Sequence, residues 1–400
     1  MRDSWVETPI GDVAQVLSGF AFKSELFNKS EGIPLIRIRD LPKRDSTEAL
    51  YSGSYEDRYV VKKGDFLIGM DGEFHCYEWN GPRALLNQRV CRIQDFKIGR
   101  VVPRYIYFAV NQYLDKIEQD TGYTTVKHIS AKQVLAIKIP LPPLSEQKRI
   151  VDLISSVDLY LESLRAALAK SISARKSALE SQLESFNKTS PIFRLEELCA
   201  AGKSAIVDGP FGANLKREDY LEEGIPVLKI QNIKQDYVVI KKMDYVSEDK
   251  YQELRRHSFQ KGDIVMTKLG DPLGLSAIVR RLDKGLIVAD LVRIRPDKID
   301  VEFLCIQLNS AKIQNYINRM QKGSTRPRVN LGMIREMPIV VPNENEINDF
   351  ISVFGAWGEQ NRKLEETIHS TEQVRSSLLS DLLSGKHEIP ASYDKVMGAA

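Results

Sequence analysis

Nowhere in the 400 residues is there an apolar run of the ~18 residues that a membrane-crossing helix needs, so no membrane partner is expected. The opening Met1-Arg2-Asp3-Ser4-Trp5 lacks the apolar stretch of a secretory signal. Cysteine is scarce. Cys76, Cys91, Cys199 and Cys305 are scattered with no Cys-x-x-Cys pair, which argues against a zinc ribbon or a disulfide framework and fits a reducing cytoplasm. The 5 histidines are dispersed, and His75-Cys76 is the single adjacent pair of soft ligands. Such a pair is met more often in packing than in metal binding, so no metal is expected. Catalytic signatures are missing too. Gly202-Lys203-Ser204 lacks the upstream glycine of a phosphate loop, and no Gly-x-Gly-x-x-Gly follows a strand. Asp271-Pro272-Leu273-Gly274 is not the Asn/Asp-Pro-Pro-aromatic tetrapeptide of an adenine methyltransferase. No catalytic residue is assigned. Nor does one sign of charge dominate: 57 basic against 54 acidic residues leave a formal +3. A polyanionic partner must therefore be sought in where the cations sit.

What is present is a repeat. Glu31-Gly32-Ile33-Pro34-Leu35-Ile36-Arg37-Ile38 returns as Glu223-Gly224-Ile225-Pro226-Val227-Leu228-Lys229-Ile230. Lys63-Gly64-Asp65 returns as Lys261-Gly262-Asp263, and the segment Tyr105 to Asn111 as Phe303 to Asn309. The copies stand roughly 200 residues apart. Two similar sites at a set distance are the expectation.

Two long helices stand out. Residues 144–190 contain neither proline nor glycine and lie between Pro143 and Pro191. Ser145 can cap, with Glu146 in the first turn. Apolar residues recur at Ile150, Ile154, Val157, Leu161, Leu164 and Leu168, weaken around Ser171-Ile172-Ser173, and resume at Leu179, Leu183 and Phe186. Steps of four and three make a heptad seam that calls for a partner helix. A second seam, with Ile347, Phe350, Phe354, Trp357, Leu364, Ile368, Leu378 and Leu382, follows Pro342. At 1.5 Å per residue each helix would extend roughly 60 Å. The two seams are expected to cover one another; the alternative is that each helix packs on its own globule.

The segments before each helix read as strands: 34–38, 65–68, 90–93 and 137–139 in the first half, 227–230, 263–266, 291–294 and 338–341 in the second. One shorter helix is predicted in each half, over 104–118 and 302–320. The fold class is α+β, with two similar globules of mixed strands and short helices carried by two long helices. The expected divisions are 1–143 (first globule), 144–190 (central helix), 191–342 (second globule), 343–389 (C-terminal helix) and 390–400 (tail).

Cations are placed with some order. Residues 303–335 hold no acid while Lys312, Arg319, Lys322, Arg326, Arg328 and Arg335 are basic. The matching stretch 121–144 is also acid-free, with Lys127, His128, Lys132 and Lys138. Each begins with a Gly/Thr loop, Gly122 to Thr125 or Gly323 to Arg326, suited to phosphate contacts. A solvated basic surface is the plainer alternative. Asn and Gln can grip adenine, and Arg or Lys guanine, by paired hydrogen bonds. Candidates in the first half are Arg37, Arg39, Lys43, Arg44, Asn87, Gln88 and Arg89; in the second, Lys216, Arg217, Gln231, Asn232, Lys234 and Lys268. Lys127, His128, Arg326 and Arg328 complete the candidate DNA-binding set, together with Lys23.

The phrases around these residues resemble the specificity subunits of type I restriction–modification systems. Gly19-Phe20-Ala21-Phe22-Lys23-Ser24-Glu25-Leu26-Phe27 and Asp208-Gly209-Pro210-Phe211-Gly212-Ala213-Asn214-Leu215-Lys216 look like openings of that family's target-recognition domains. Pro140-Leu141-Pro142-Pro143-Leu144-Ser145-Glu146-Gln147 resembles the approach to its first helix, and Leu382-Leu383-Ser384-Gly385-Lys386 the end of its second. One departure is Val341 to Glu346, which keeps one proline but loses the double proline, with Ile347 where the first copy has Gln147. The resemblance implies a non-catalytic subunit, target-recognition domains at 1–143 and 191–342, and helices paired antiparallel with a pseudo-twofold internal repeat. Each domain would read one half of a bipartite, asymmetric site in double-stranded DNA while the coiled coil sets the spacer. Two methyltransferase subunits and restriction/translocase subunits are the implied partners. S-adenosylmethionine, ATP and Mg would belong to them, and this chain would need no cofactor. The competing readings are a coiled-coil protein scaffold and a single-chain DNA methyltransferase or nuclease.

Overall fold

The computed structural model describes residues 5–120, 127–202, 204–212, 214–270, 273–321 and 327–397. The fold is α+β, and the chain divides into two compact units, Met1–Ser163 with His369–Ala400, and Leu164–Ile368.

In the first unit the four-stranded sheet runs in the order Gln15–Ser18, Val90–Gln94, Phe66–Gly69, Cys76–Glu78. A five-stranded sheet follows the order Phe27–Asn28, Ala49–Tyr51, Ile33–Ile36, Ala84–Leu86, Val60–Val61. Phe66–Gly69 and Ala84–Leu86 are buried along their whole length, which is why they read as continuous apolar runs rather than alternating ones. Helix Pro103–Asp120 lies over the first sheet, and a ribbon pairs Val6–Pro9 with Lys138–Leu141.

The second unit repeats this plan. Ile206–Asp208, Leu291–Ile294, Ile264–Thr267 and Ser276–Ile278 form the same four-strand order, extended by Asp236–Val238 and Ile233–Lys234. Asp244–Val246, Ile225–Leu228, Lys284–Ile287 and Ser258–Gln260 make the second sheet. Even the one parallel pairing within the second sheet recurs: Leu35 opposite Leu85, Val227 opposite Leu286.

The repeat extends to individual hydrogen bonds. Asn111 accepts from the Cys76 N–H at 2.7 Å and donates to its carbonyl at 3.2 Å, clamping a strand to a helix. Asn309 does the same to Ser276 at 3.0 and 2.8 Å. One predicted element differs. The helix predicted over 302–320 is two, Val301–Leu308 and Ala311–Met320. The Ser310 hydroxyl accepts from the Ile313 N–H and starts a new helix. Gln112, next after the matching Asn111, offers no such cap, and there the helix continues.

The long helices span Leu144–Thr189 and Glu344–Leu383 and pack together antiparallel. Within the first unit, Ile150, Val151 and Ile154 share a core with Leu382 and Leu383. Arg375 grips the Asp158 carboxylate with two hydrogen bonds. Within the second, Leu179, Leu183 and Phe186 pack with Ile347, Phe350 and Phe354. Ile347, which stands where the first copy has Gln147, is thus an apolar core residue. Gln147 is itself buried, accepting from the Val102 N–H and donating to the carbonyls of Arg100 and Pro142.

Where the seam weakens, a polar layer replaces it. Ser171 donates to Asn361 Oδ1 at 2.6 Å and accepts from Trp357 Nε1 at 2.8 Å. Arg175, buried, donates to the Phe354 carbonyl and lies 3.2 Å from the Asp236 carboxylate. Burial pushes that carboxyl up, while Arg175 and the Asn309 amide pull it down. Beyond the second helix, Tyr393–Met397 returns to the first unit, where Asp394 meets Arg149 through two 2.7 Å hydrogen bonds.

Candidate nucleic-acid interface

Both units present polar side chains on one shared backbone frame. Gly19 donates to the Val90 carbonyl, and Gly209 to that of Leu291. A Cβ on Gly19 would stand 2.0 Å from the Asn87 oxygen, and one on Gly209 2.1 Å from the Val288 oxygen, so both approaches require glycine. Asn87 N–H bonds Ile36 as Val288 bonds Leu228, and Met70 bonds Arg89 as Lys268 bonds Asp290. Isolated bridges then pair Asp71 with His128 and Leu269 with Arg328. After each central strand a short 3-10 turn begins: the Arg37 N–H donates to Asp40 Oδ2 at 3.1 Å, the Lys229 N–H to Asn232 Oδ1 at 3.0 Å. Position for position, Arg37 matches Lys229, Arg39 matches Gln231, Asn87 matches Val288, Arg89 matches Asp290 and His128 matches Arg328.

In the first unit, Arg39, Gln88 and Lys23 are exposed, and Lys23 makes no ion pair among the described residues. Arg37 is held by Asp40 at 3.3 Å and Glu48 at 3.8 Å. Lys43 sits 2.9 Å from Glu48 and holds that carboxyl below the usual range. Arg44, at φ 65, reaches over the Tyr77 ring. Asp71 gathers two candidates, Arg89 at 3.3 Å and His128 at 2.6 Å, and Lys127 pairs with Glu118 at 3.3 Å. Asn87 is buried, its side-chain oxygen accepting from the Gln88 N–H, so it shapes the turn that carries Gln88 and Arg89.

In the second unit, Gln231, Lys234, Lys216, Arg217 and Arg328 are exposed. Lys234, Arg217 and Arg328 make no ion pair among the described residues. Lys268 is tied to Asp208 at 2.6 Å. Asn232 is only 1% exposed, and its amide donates to the Val239 carbonyl while its oxygen takes the Lys229 N–H. It holds the turn rather than facing a partner. Arg326 and both Gly/Thr loops lie outside the described residues. A recess of about 640 Å³ is lined by Gln231, Lys229 and Lys234 together with Tyr220, Asp290 and the apolar side chains of Ile230 and Val288. Lys229 stands 4.1 Å above the Tyr220 ring and 2.7 Å from Asp244. Burial pushes the Tyr220 hydroxyl up against the opposing pull of Lys229.

Several participants escaped sequence reasoning. Asp71 and Asp208 pair with the cations, and Phe211, two residues after Gly209, is an aromatic side chain 79% exposed. Asp208 and Phe211 stand in the phrase Asp208 to Lys216, which reads as a motif and contributes only Lys216 to the candidates. Among the described residues no cluster of His, Cys, Asp and Glu could hold a metal ion. All four thiols are buried, with Cys91 and Cys199 each pushed up to about 12 by that burial. No helix among the described residues is long and apolar enough to cross a membrane.

Residues 2–173 match the family described as the type I restriction modification DNA specificity domain. The chain is 27% identical to the type I restriction enzyme EcoBI specificity subunit of Escherichia coli, covering 99% of this chain and 92% of that protein. It is 22% identical to the MjaVIII specificity subunit of Methanocaldococcus jannaschii, over 96% and 93% of the two. The crystal structure of a type I restriction-modification system S subunit from M. genitalium has the same fold, with a TM-score of 0.57 at 16% identity over 94% of this chain and 96% of that one.

Proposed function

The chain is a relative of the type I restriction–modification specificity subunits, and we propose that it is the non-catalytic, DNA-reading subunit of such a complex. The observation that carries this reading is one backbone frame built twice, with different side chains on it, in a chain that aligns end to end with specificity subunits. An identical frame fixes how each globule meets a duplex; different side chains make the two half-sites differ. Exposed cations such as Arg328, Lys234 and Lys23 supply phosphate contacts, which set affinity without choosing sequence. Polar side chains between them choose the bases. The paired long helices act as the spacer in this reading, so a stretch of unread base pairs separates the half-sites.

The helices also offer matching surfaces to two methyltransferase subunits, which carry S-adenosylmethionine and flip the target adenine out of the stack. Restriction/translocase subunits join with ATP and Mg. The site of action is the cytoplasm, where the DNA is. Mapping adenine methylation in the host, with and without the gene for this chain, tests the reading. The expected result is a split motif, two short blocks around an unread gap, that is methylated only when the chain is present. An unchanged methylation map after deletion would overturn it.

A further inference from the structure

The two frames carry different chemistry at equivalent positions. The first unit places arginine at both, Arg39 and Arg89, whose paired donors match the two acceptors of guanine. The second places Gln231 and Asp290 there, and both line the same recess. Asp290 makes no ion pair among the described residues. A bare carboxylate on a face that meets phosphates is repelled by them, so its presence calls for a donor on the bound duplex. In the major groove the donors are the exocyclic amines: N4 of cytosine and N6 of adenine. Gln231 offers both a donor and an acceptor, the pair that adenine N7 and N6 require. The apolar lining it shares, Ile230 and Val288, suits the methyl group of the thymine opposite. Val288 stands where the first unit has Asn87.

We propose that Gln231 and Asp290 are specificity-determining residues of the second globule, reading adenine and cytosine respectively, while Arg39 and Arg89 at the same frame positions direct the first globule to guanine. This rests on the DNA-reading role proposed above. The native complex, purified through the tagged full-length chain, is incubated with a pool of randomised duplexes, and the retained sequences are read. Gln231→Ala should weaken the preference for one adenine by about tenfold. Asp290→Ala should relax one cytosine in the same half-site, and Arg39→Ala one guanine in the other. The assignment is overturned if Gln231→Ala and Asp290→Ala, melting as the native chain does, retain the native motif at every position. It is equally overturned if they relax guanine positions or weaken both half-sites evenly. If the native complex itself retains no motif, the DNA-reading role fails and the assignment with it.

Discussion

Gln231 and Asn232 are adjacent amides with opposite duties, and the difference is one of burial. Asn232 closes a turn inside the second unit, so Asn232→Ala leaves buried partners unsatisfied and should cost about 1–3 kcal/mol of stability, with the selected DNA motif unchanged. Arg328→Ala, at an exposed position, should leave stability within about 0.5 kcal/mol. It should weaken duplex binding evenly across sequences and reduce the salt slope by about one. Thermal melting and titrations at several salt concentrations check both; a changed motif for Asn232→Ala at unchanged stability would refute its structural role. Sequence reasoning ranked the two amides together because a polar residue after a strand looks the same whichever way it faces. A mark was there to be read: the short polar residue four positions after the aligned strand end recurs as Asp40 and Asn232, and a recurring acceptor at one repeat position signals a backbone cap. Asp71 gave no such sign, since its partners Arg89 and His128 are distant in sequence.

At the scale of elements, the long helices were legible because proline brackets and a heptad seam are local signals, and the interruption at Ser171 was legible as a weakness. What fills the interruption was not: Asn361, Trp357 and Arg175 meet there only once the helices pair. The break at Ser310 was hidden by apolar residues at Phe303, Ile306, Ile313 and Ile317 that continue in helical spacing across it. Because the seam is continuous through most of both helices, removing one heptad from each at matched positions should preserve pairing. Seven residues at 1.5 Å each are about 10 Å, or about three base pairs at 3.4 Å. The unread gap in the methylated motif should shorten by about that amount with both half-sites intact. A constant gap would mean that the helices do not set the distance.

For the whole molecule, the repeat was visible in the sequence as matched phrases, and the structure shows it as matched hydrogen bonds, Gly19 to Val90 as Gly209 to Leu291, and Cys76 to Asn111 as Ser276 to Asn309. Strands and glycines had to be kept because a common frame depends on backbone geometry. Side chains at Arg39 and Gln231, or Arg89 and Asp290, were free to diverge because the frame does not depend on them. Sequence alone could list Arg39, Arg89 and Gln231, but it passed over Asp290 and could not show that the four share a frame, since that follows from strand register. In the proposed role each globule reads its own half of one split site. The most direct measurement is to replace residues 1–143 with the first globule of a relative of different specificity and map adenine methylation in cells carrying the hybrid. The expected motif has one half exchanged and the other half retained. A motif unchanged in both halves, or changed in both, would contradict it.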